Sequence, residues 1–112
     1  MIRVYDENKR DWHTSSKEVF CDFVQQHISK GSFRIIYQAD HLEIWCFGIE
    51  PRYRGHKYGQ QMLSELIERF CDLPLELKCY KNNLRALHIY HKFGFQIVKD
   101  CNDYYWMRRE VK

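Results

Sequence analysis

The chain of 112 residues lacks any apolar run that approaches the ~20 residues needed to cross a bilayer. Its first residues are charged from Arg3 onward, too early for a secretory signal, so we expect a cytoplasmic protein. A large excess of one charge is also missing, since the net charge is +3. Nucleic-acid-binding domains are usually far more basic or carry a concentrated basic stripe. The composition therefore disfavours nucleic acid as a partner.

Paired cysteines are missing as well. The five cysteines are odd in number and scattered, and none forms a Cys-x-x-Cys pair. This pattern fits reduced thiols better than a disulfide framework or a zinc knuckle. His88 and His91 have a spacing that can bind metal, but no third ligand is evident. We therefore predict no metal site.

The residues that are present suffice for one folded domain over residues 1–112. Hydrophobic residues make up 45% of the chain and aromatic residues 16%, enough to bury a core. The hydrophobic spacings predict the order strand, helix, strand, strand, helix, strand, helix, strand, strand. The predicted strands are 2–5, 33–38, 42–49, 75–80, 95–99 and 104–109, and the predicted helices run from Ser15 or Ser16 to near Gly31, from 59 to 71 and from about 83 to 93. This order predicts an α/β fold with a mixed, mostly antiparallel sheet and helices on both faces.

Residues 51–59, which we call the basic turn, connect the strand 42–49 to the second helix. The first N–H groups of a helix have no partner within it, and the helix dipole places partial positive charge there. Such a helix start binds phosphate. The same turn carries the basic side chains Arg52, Arg54, His56 and Lys57. We therefore expect a phosphorylated small molecule as ligand.

Two motifs resemble the GNAT superfamily of N-acetyltransferases over roughly residues 33–109. The first is Pro-Arg-Tyr-Arg-Gly-His-Lys-Tyr-Gly at residues 51–59, in which Lys57 replaces a glycine of the family's acetyl-CoA turn. The second is Asn-Leu-Arg-Ala-Leu-His-Ile-Tyr-His-Lys-Phe-Gly-Phe at residues 83–95, which fills every defining position of the family's Asn-x-x-Ala-x-x-x-Tyr-x-x-x-Gly-Phe signature. Each position also has a purely structural interpretation, with Asn83 as a helix cap and Tyr90 as a core aromatic.

The resemblance implies acetyl-CoA as co-substrate and assigns residues to hold it. Backbone amides of the basic turn would bind the pyrophosphate, the strand 46–49 would separate from the strand 75–80 to admit the pantetheine arm, and Asn83 would bond that arm. The implied coenzyme-binding residues are Phe47, Gly48, Ile49, Arg54, Gly55, His56, Lys57, Tyr58, Gly59 and Asn83. Lys57 could contact a phosphate directly in place of the close approach that glycine permits.

The resemblance also implies Tyr90 as the general acid and Glu43 as the general base. The phenol of tyrosine has a pKa near ~10, close enough to that of a thiol to donate a proton as the C–S bond breaks. Alternation along the strand predicts that Glu43, Trp45, Phe47 and Ile49 share a face, where apolar neighbours would raise the pKa of Glu43. The alternative is a glutamate exposed at the end of the strand.

The acceptor is expected to be a primary amine. The space between the first two strands fits one helix where the family commonly has two, so the acceptor groove should be shallow and fit a protein lysine, an N-terminus or a polyamine-like molecule. A homodimer is a further option. Two rivals stay open: a coenzyme-A-binding regulatory module without turnover, and a small nucleic-acid-binding domain that uses Arg52, Arg54 and Lys57.

Overall fold

The computed structural model describes residues 1–6 and 17–111. In these residues, seven strands form a single sheet in the order β1-β2-β3-β4-β5-β7-β6. The strands are β1 (Ile2–Asp6), β2 (Lys17–Gln25), β3 (Ile28–Tyr37), β4 (Leu42–Ile49), β5 (Leu75–Tyr80), β6 (Gln96–Cys101) and β7 (Tyr104–Arg109), and the helices are a 3-10 turn at Pro51–Tyr53, α1 (Tyr58–Arg69) and α2 (Leu84–Lys92). Among the described strands, only β4 and β5 pair in parallel. The predicted mixed, mostly antiparallel sheet is confirmed.

The segment expected to be the first helix is a strand instead. Ser15 and Ser16, its predicted caps, lie outside the described residues, and β2 extends from Lys17 to Gln25. Val19, Cys21 and Phe23 are buried at alternate positions, while Phe20 and Val24 are partly buried on the other face. Because both faces carry apolar residues, the sequence has a helical spacing as well as a strand spacing, and the helix prediction was wrong.

The turn after β2 explains why β3 starts earlier than predicted. Gln26 and His27 both have positive φ, 52° and 66°, as the two central residues of a tight hairpin turn require. The chain therefore reverses there, and β3 begins at Ile28 rather than at residue 33.

Both described helices pack on the same face of the sheet, although helices on both faces were predicted. Ile35, Ile44, Leu77 and Met107 lie side by side across four strands and form the core of that face. Phe33, two residues before Ile35, contacts Phe70 at the end of α1, and α1 buries Met62, Leu63 and Leu66. From α2, Tyr90 reaches the same core. The predicted helix for the opposite face is the strand β2, so Phe20, Arg34, Trp45 and Trp106 stay partly exposed there.

The remaining elements agree with the sequence predictions. The hairpin of β3 and β4, the helix after the basic turn, the strand β5 and the final hairpin of β6 and β7 all form. Asn83 caps α2, where its side-chain oxygen accepts a hydrogen bond from the N–H of Ala86 at 3.2 Å. Gly94, with a φ of 94°, follows the end of that helix. Among the described helices, none has the length and apolar character that crossing a membrane would take.

Candidate active site

A cleft opens where β4 and β5 separate. The two strands pair only between residues 42–44 and 75–77, and beyond these positions their facing edges are unpaired with each other. The resulting cavity of about 410 Å³ is lined by Ile44, Trp45, Cys46, Phe47, Leu77, Lys78, Cys79, Tyr80, Asn83, Ala86 and Tyr90. We call this space the cleft. Unpaired strand edges of this kind can hydrogen-bond an extended ligand as an added strand would.

A β-bulge at Cys46 accompanies the separation. Cys46 has a positive φ of 55°, and the pairing of β3 with β4 shifts register between Ser32 and Arg34. The bulge turns Phe47 to the helix side, where its ring contacts Phe33 and Tyr90 with centroids 6.2 Å and 6.4 Å away. The prediction that Glu43, Trp45, Phe47 and Ile49 share one face is therefore wrong, because the bulge interrupts the alternation.

The start of α1 forms a second cavity of about 400 Å³ beside the cleft. Its lining includes Gly48, Ile49, Tyr53, Arg54, Gly55, Lys57, Tyr58 and Gly59 together with Asn83 and Ala86, which also line the cleft. No side chain caps this end of α1. Within the described residues, the N–H groups of Tyr58, Gly59 and Gln60 make no hydrogen bond to a protein acceptor. They are free to bind an anion, as the sequence predicts.

Two positions of the basic turn adopt left-handed backbone conformations. Gly55 has a φ of 86°, and a Cβ built on it would meet nothing within 4 Å. Lys57, the N-cap of α1, has a φ of 63°. The family's glycine is thus replaced where positive φ is needed, which strains the lysine backbone by roughly 1 kcal/mol. The side chain of Lys57 is exposed.

The other basic side chains of the turn do not converge on one point. Arg54 donates from Nε to the carbonyl oxygen of Ile49 at 3.1 Å, which ties the turn to the end of β4. The ring of His56 lies beside that of Tyr58, with centroids 5.8 Å apart. Arg52 lies 5.6 Å from the ring of Tyr53. These side chains are held by separate contacts in the basic turn, while the backbone supplies the directed donors.

Lys30 is a residue of this site that the sequence analysis missed. It is only 5% exposed, and its ammonium group lies 3.8 Å from the ring centroid of Tyr53 and 5.7 Å from that of Tyr58. Both tyrosines line the cavity at the start of α1. Lys30 therefore stabilises the basic turn through cation–π contacts with both rings. A contact across two strands and a loop leaves no local pattern in the sequence.

Tyr90 lies on the wall of the cleft, as predicted. Its ring packs against Phe47 and Phe95, the latter at 5.8 Å between centroids. Its hydroxyl makes no hydrogen bond to the described residues and is not among their fully buried unpartnered polar atoms, so the oxygen keeps some exposure. Burial, with a smaller contribution from Cys79, raises the pKa of Tyr90 to about 12. The phenol is thus protonated throughout the neutral range.

Asn83 has the structural role of helix cap and also a place in the site. Its carboxamide oxygen bonds the N–H of Ala86. Its position brings it into the lining of both cavities. In the described part of the chain its side-chain NH₂ group makes no hydrogen bond, so this group can still bond a ligand.

Glu43 does not lie among apolar groups, and it lines neither cavity. Its carboxylate accepts from the indole N–H of Trp45 at 2.9 Å, lies 3.0 Å from His41 Nε2 and accepts from Gln38 Nε2 at 3.4 Å. The expected apolar surroundings are therefore absent. Trp45 lines the cleft, so its hydrogen bond to Glu43 connects that carboxylate to the edge of the cleft.

A larger cavity, about 740 Å³ in volume, lies at the other end of α1. Its lining includes Met1, Val4, Tyr37, Leu42, Glu65 and Leu73, and no residue of either motif contributes to it. Size alone does not identify the functional cavity here. Within residues 1–6 and 17–111, no group of three or more His, Cys, Asp or Glu side chains is placed to hold a metal ion.

Comparison with known proteins identifies the family of this chain. The acetyltransferase (GNAT) family matches residues 3–95 of the chain. The protein therefore belongs to the GNAT family of acetyltransferases.

Individual relatives show the extent of the similarity. The spermine/spermidine N(1)-acetyltransferase of Bacillus subtilis strain 168 is 37% identical over 59 residues, which are 47% of this chain and 39% of that protein. The match thus covers much less than two thirds of the relative's length. The structure of Escherichia coli ElaA has a TM-score of 0.72 at 22% identity, covering 95% of this chain and 76% of that chain.

A further solved structure contains the coenzyme. The N-acetyltransferase PseH of Campylobacter jejuni, in its complex with acetyl coenzyme A, has a TM-score of 0.76 at 20% identity and covers 88% of this chain and 71% of that chain. At these identities the two solved structures show a shared fold.

Proposed function

We propose that this protein is an acetyl-CoA-dependent N-acetyltransferase that transfers an acetyl group to a primary amine by direct attack. The observation that carries the proposal is the junction of the cleft with the uncapped start of α1, which share Asn83 and Ala86 in their linings. The free N–H groups at the start of α1 suit an anion, and the cleft lies beside them. Together they match a long ligand that carries phosphates at one end. Tyr90 lies on the wall of the cleft.

The residues present fit the coenzyme. The free N–H groups of Tyr58, Gly59 and Gln60 suit a pyrophosphate. A Cβ built on Gly48 would meet nothing within 4 Å, so the wall of the cavity at the start of α1 is open at this position of β4. Phe47, Gly48 and Ile49 contribute the strand edge for the pantetheine arm, and Asn83 offers its NH₂ group. When bound, acetyl-CoA supplies the activated acetyl thioester.

Tyr90 is proposed as the proton donor to the departing thiolate. Its pKa of about 12 keeps the phenol protonated at neutral pH, so the donor form is always present. A thiol has a pKa near ~8.5, so full proton transfer from this phenol would be uphill. Tyr90 therefore acts first as a hydrogen-bond donor that stabilises the charge developing on sulfur.

Glu43 is proposed as the base that accepts the proton of the amine through a water molecule. The carboxylate is fixed by its bonds to Trp45 and His41, and Trp45 extends from it to the cleft. A primary ammonium must lose a proton before it can attack the thioester, and a carboxylate held near the cleft can accept that proton.

The acceptor is proposed to be a protein lysine, an N-terminus or a polyamine-like molecule. Among the described residues, no helix packs on the face of the sheet that carries Trp45 and Trp106, which suits an acceptor that lies across the surface. The name of the Bacillus subtilis relative, a spermine/spermidine acetyltransferase, supports the polyamine-like alternative. The cytoplasmic location and a homodimer stay predictions from the sequence.

Two measurements on the purified protein test the proposal. Melting with acetyl-CoA at about 100 times its Kd should raise Tm by roughly 10 °C, because a ligand that binds only the folded state stabilises it by about 2.7 kcal/mol. Release of free thiol is then followed with spermidine, with lysine-containing peptides and with peptides that have a free N-terminus. Turnover with at least one of these amines is expected.

The outcomes separate the alternatives. A rise in Tm without acetylation of any amine or of the protein itself would favour the regulatory coenzyme-A-binding module. No rise in Tm would remove the coenzyme from the site altogether.

A further inference from the structure

A series of hydrogen-bonded side chains leads from the edge of the cleft to solvent. Trp45 Nε1 donates to Glu43 Oε1 at 2.9 Å, Glu43 Oε2 lies 3.0 Å from His41 Nε2, and His41 Nδ1 lies 2.8 Å from Asp40 Oδ1. Exposure increases sharply along the series: the side chains of Glu43 and His41 are 17% and 18% exposed, and that of Asp40 is 83% exposed. One end thus touches a cleft residue and the other end touches water.

The series is not needed to close the turn between β3 and β4. That turn already has its backbone hydrogen bond, from the N–H of Gln38 to the carbonyl oxygen of His41 at 2.9 Å. The hydrogen bond to an exposed aspartate adds little stability. The alignment of His41 between two carboxylates therefore calls for another explanation.

The charges around His41 favour its protonated form. Glu76 Oε1 lies 3.8 Å from His41 Nε2, and the Glu76 carboxylate in turn bonds Trp106 and Arg108. Arg108 also pairs with the exposed Glu110. Burial alone would lower the pKa of His41, but the bonds to Asp40 and Glu43 and the charge of Glu76 together raise it above its ordinary value of 6.5. The imidazole is thus a better proton acceptor than a free imidazole.

We propose that Glu43, His41 and Asp40 form a proton exit path for the acceptor amine, with His41 as the positioning residue. The inference rests on the proposed function, in which Glu43 accepts the proton of the ammonium through water. Neutral His41, with its proton on Nδ1 beside Asp40, accepts the proton of Glu43 at Nε2. The imidazolium then releases its Nδ1 proton to solvent beside Asp40, and exchange of the Nε2 proton with water restores the starting tautomer. Only O–H and N–H bonds form and break, and one proton leaves the amine for each proton that reaches the solvent.

The variant His41→Gln separates this path from a structural role. Glutamine can place an N–H near the position of His41 Nε2 and keep the bond to Glu43, but it cannot accept a proton. We expect kcat with a primary amine to fall about tenfold at pH 7, with an unchanged KM for acetyl-CoA. The loss should disappear as the pH approaches the pKa of the amine, near ~10.4 for a lysine, because the neutral amine needs no base.

Three controls accompany this variant. His27→Gln makes the same change at an exposed turn outside both cavities and should retain wild-type kinetics. Imidazole added to the buffer should restore part of the rate of His41→Ala. Asp40→Asn, at an exposed position, should lower kcat with the same pH dependence and tests the path if the His41 variants do not fold.

The results distinguish this path from the proposed function. An active wild type whose rate is unchanged by His41→Gln and Asp40→Asn would overturn the path alone. So would a loss that is equal at every pH and is not rescued by imidazole, since that is the signature of a structural role. A wild-type protein that acetylates no amine would overturn the proposed function and the path with it.

Discussion

At the scale of single residues, Lys57 combines a backbone that is strained with a charge that is poorly placed for stability. Its φ of 63° favours glycine, and its cation stands at the positive end of the α1 dipole. Lys57→Gly should therefore raise the free energy of unfolding by about 1 kcal/mol, or roughly 4 °C in Tm. The same change should weaken acetyl-CoA binding about threefold, because an exposed phosphate contact is worth well under ~1 kcal/mol. Thermal melting and calorimetric titration measure the two effects.

Lys57→Ala is the matched control, because it removes the charge and keeps the Cβ at positive φ. We expect it to weaken acetyl-CoA binding to the same extent without the full gain in stability. Equal affinity in all three proteins would show that the lysine does not contact the coenzyme.

The proposed role of Tyr90 can be tested by removal of its hydroxyl oxygen. Tyr90→Phe keeps the ring that packs on Phe47 and Phe95 and deletes only the hydroxyl. We expect kcat to fall by about 10²-fold, the lower range for loss of an acid group, while the Kd for acetyl-CoA changes less than about twofold. Because burial raises the pKa of Tyr90 to about 12, the fractional loss should be constant between pH 6 and 10. An unchanged kcat would remove Tyr90 from the mechanism.

At the scale of elements, the bulge in β4 places a thiol at the cleft. Cys46 is exposed and lines the cleft, whereas Cys71 is exposed but lines neither the cleft nor the cavity at the start of α1. Cys21 and Cys79 are buried, and burial raises the pKa of both thiols. Thiolates are the reactive form, so the native protein should be alkylated at Cys46 and Cys71 and spared at Cys21 and Cys79. Peptide mass mapping after brief treatment with iodoacetamide measures this pattern.

The same alkylation experiment, repeated with acetyl-CoA present, locates the bound coenzyme. A pantetheine arm between β4 and β5 should slow the alkylation of Cys46 at least tenfold and leave Cys71 unaffected. Equal protection of both thiols would indicate a general stabilisation instead, and no protection at Cys46 would place the coenzyme outside the cleft.

Elements whose signals are local could be predicted from the sequence. The basic turn, the Asn83 cap and α2 depend on residues close together in the chain, and the structure has them as expected. The position of Tyr90 at the cleft was implied by the family resemblance and not by local spacing. β2 was mistaken for a helix because apolar residues line both of its faces. The bulge at Cys46 was missed because cysteine gives no sign of positive φ. The contacts of Lys30 and the environment of Glu43 depend on side-chain packing that spacing does not reveal.

At the scale of the whole molecule, the sheet separates the two halves of the proposed reaction. Both described helices and the apolar core lie on one face, and the Glu43 network lies on the other with Trp45 and Trp106. The cleft connects these two faces, because the parallel pairing of β4 and β5 ends at Ile44 and Leu77 and leaves a gap in the sheet. Tyr90 enters the cleft from the helix side, whereas Trp45 borders it from the opposite side. In the proposed reaction, Glu43 thus acts on the amine and Tyr90 on the sulfur from opposite faces of a single sheet.

The core on the helix side makes the stability of the whole fold sensitive to alkaline pH. Burial raises the pKa of Cys21 and of Tyr90 to about 12, from ordinary values of 9.0 and 10.0. The folded state therefore retains protons that the unfolded chain releases, so stability is complete below about pH 9 and is lost as the pH rises toward 12. Urea titrations should show a midpoint that is nearly constant from pH 7 to 9 and then falls, with a loss on the order of 4 kcal/mol by pH 11. The double variant Cys21→Ala, Tyr90→Phe should be less stable at pH 7, because it leaves small cavities, yet its midpoint should fall much less above pH 9. An equally steep fall in the variant would assign the alkaline loss to other groups, the remaining lysines and tyrosines first.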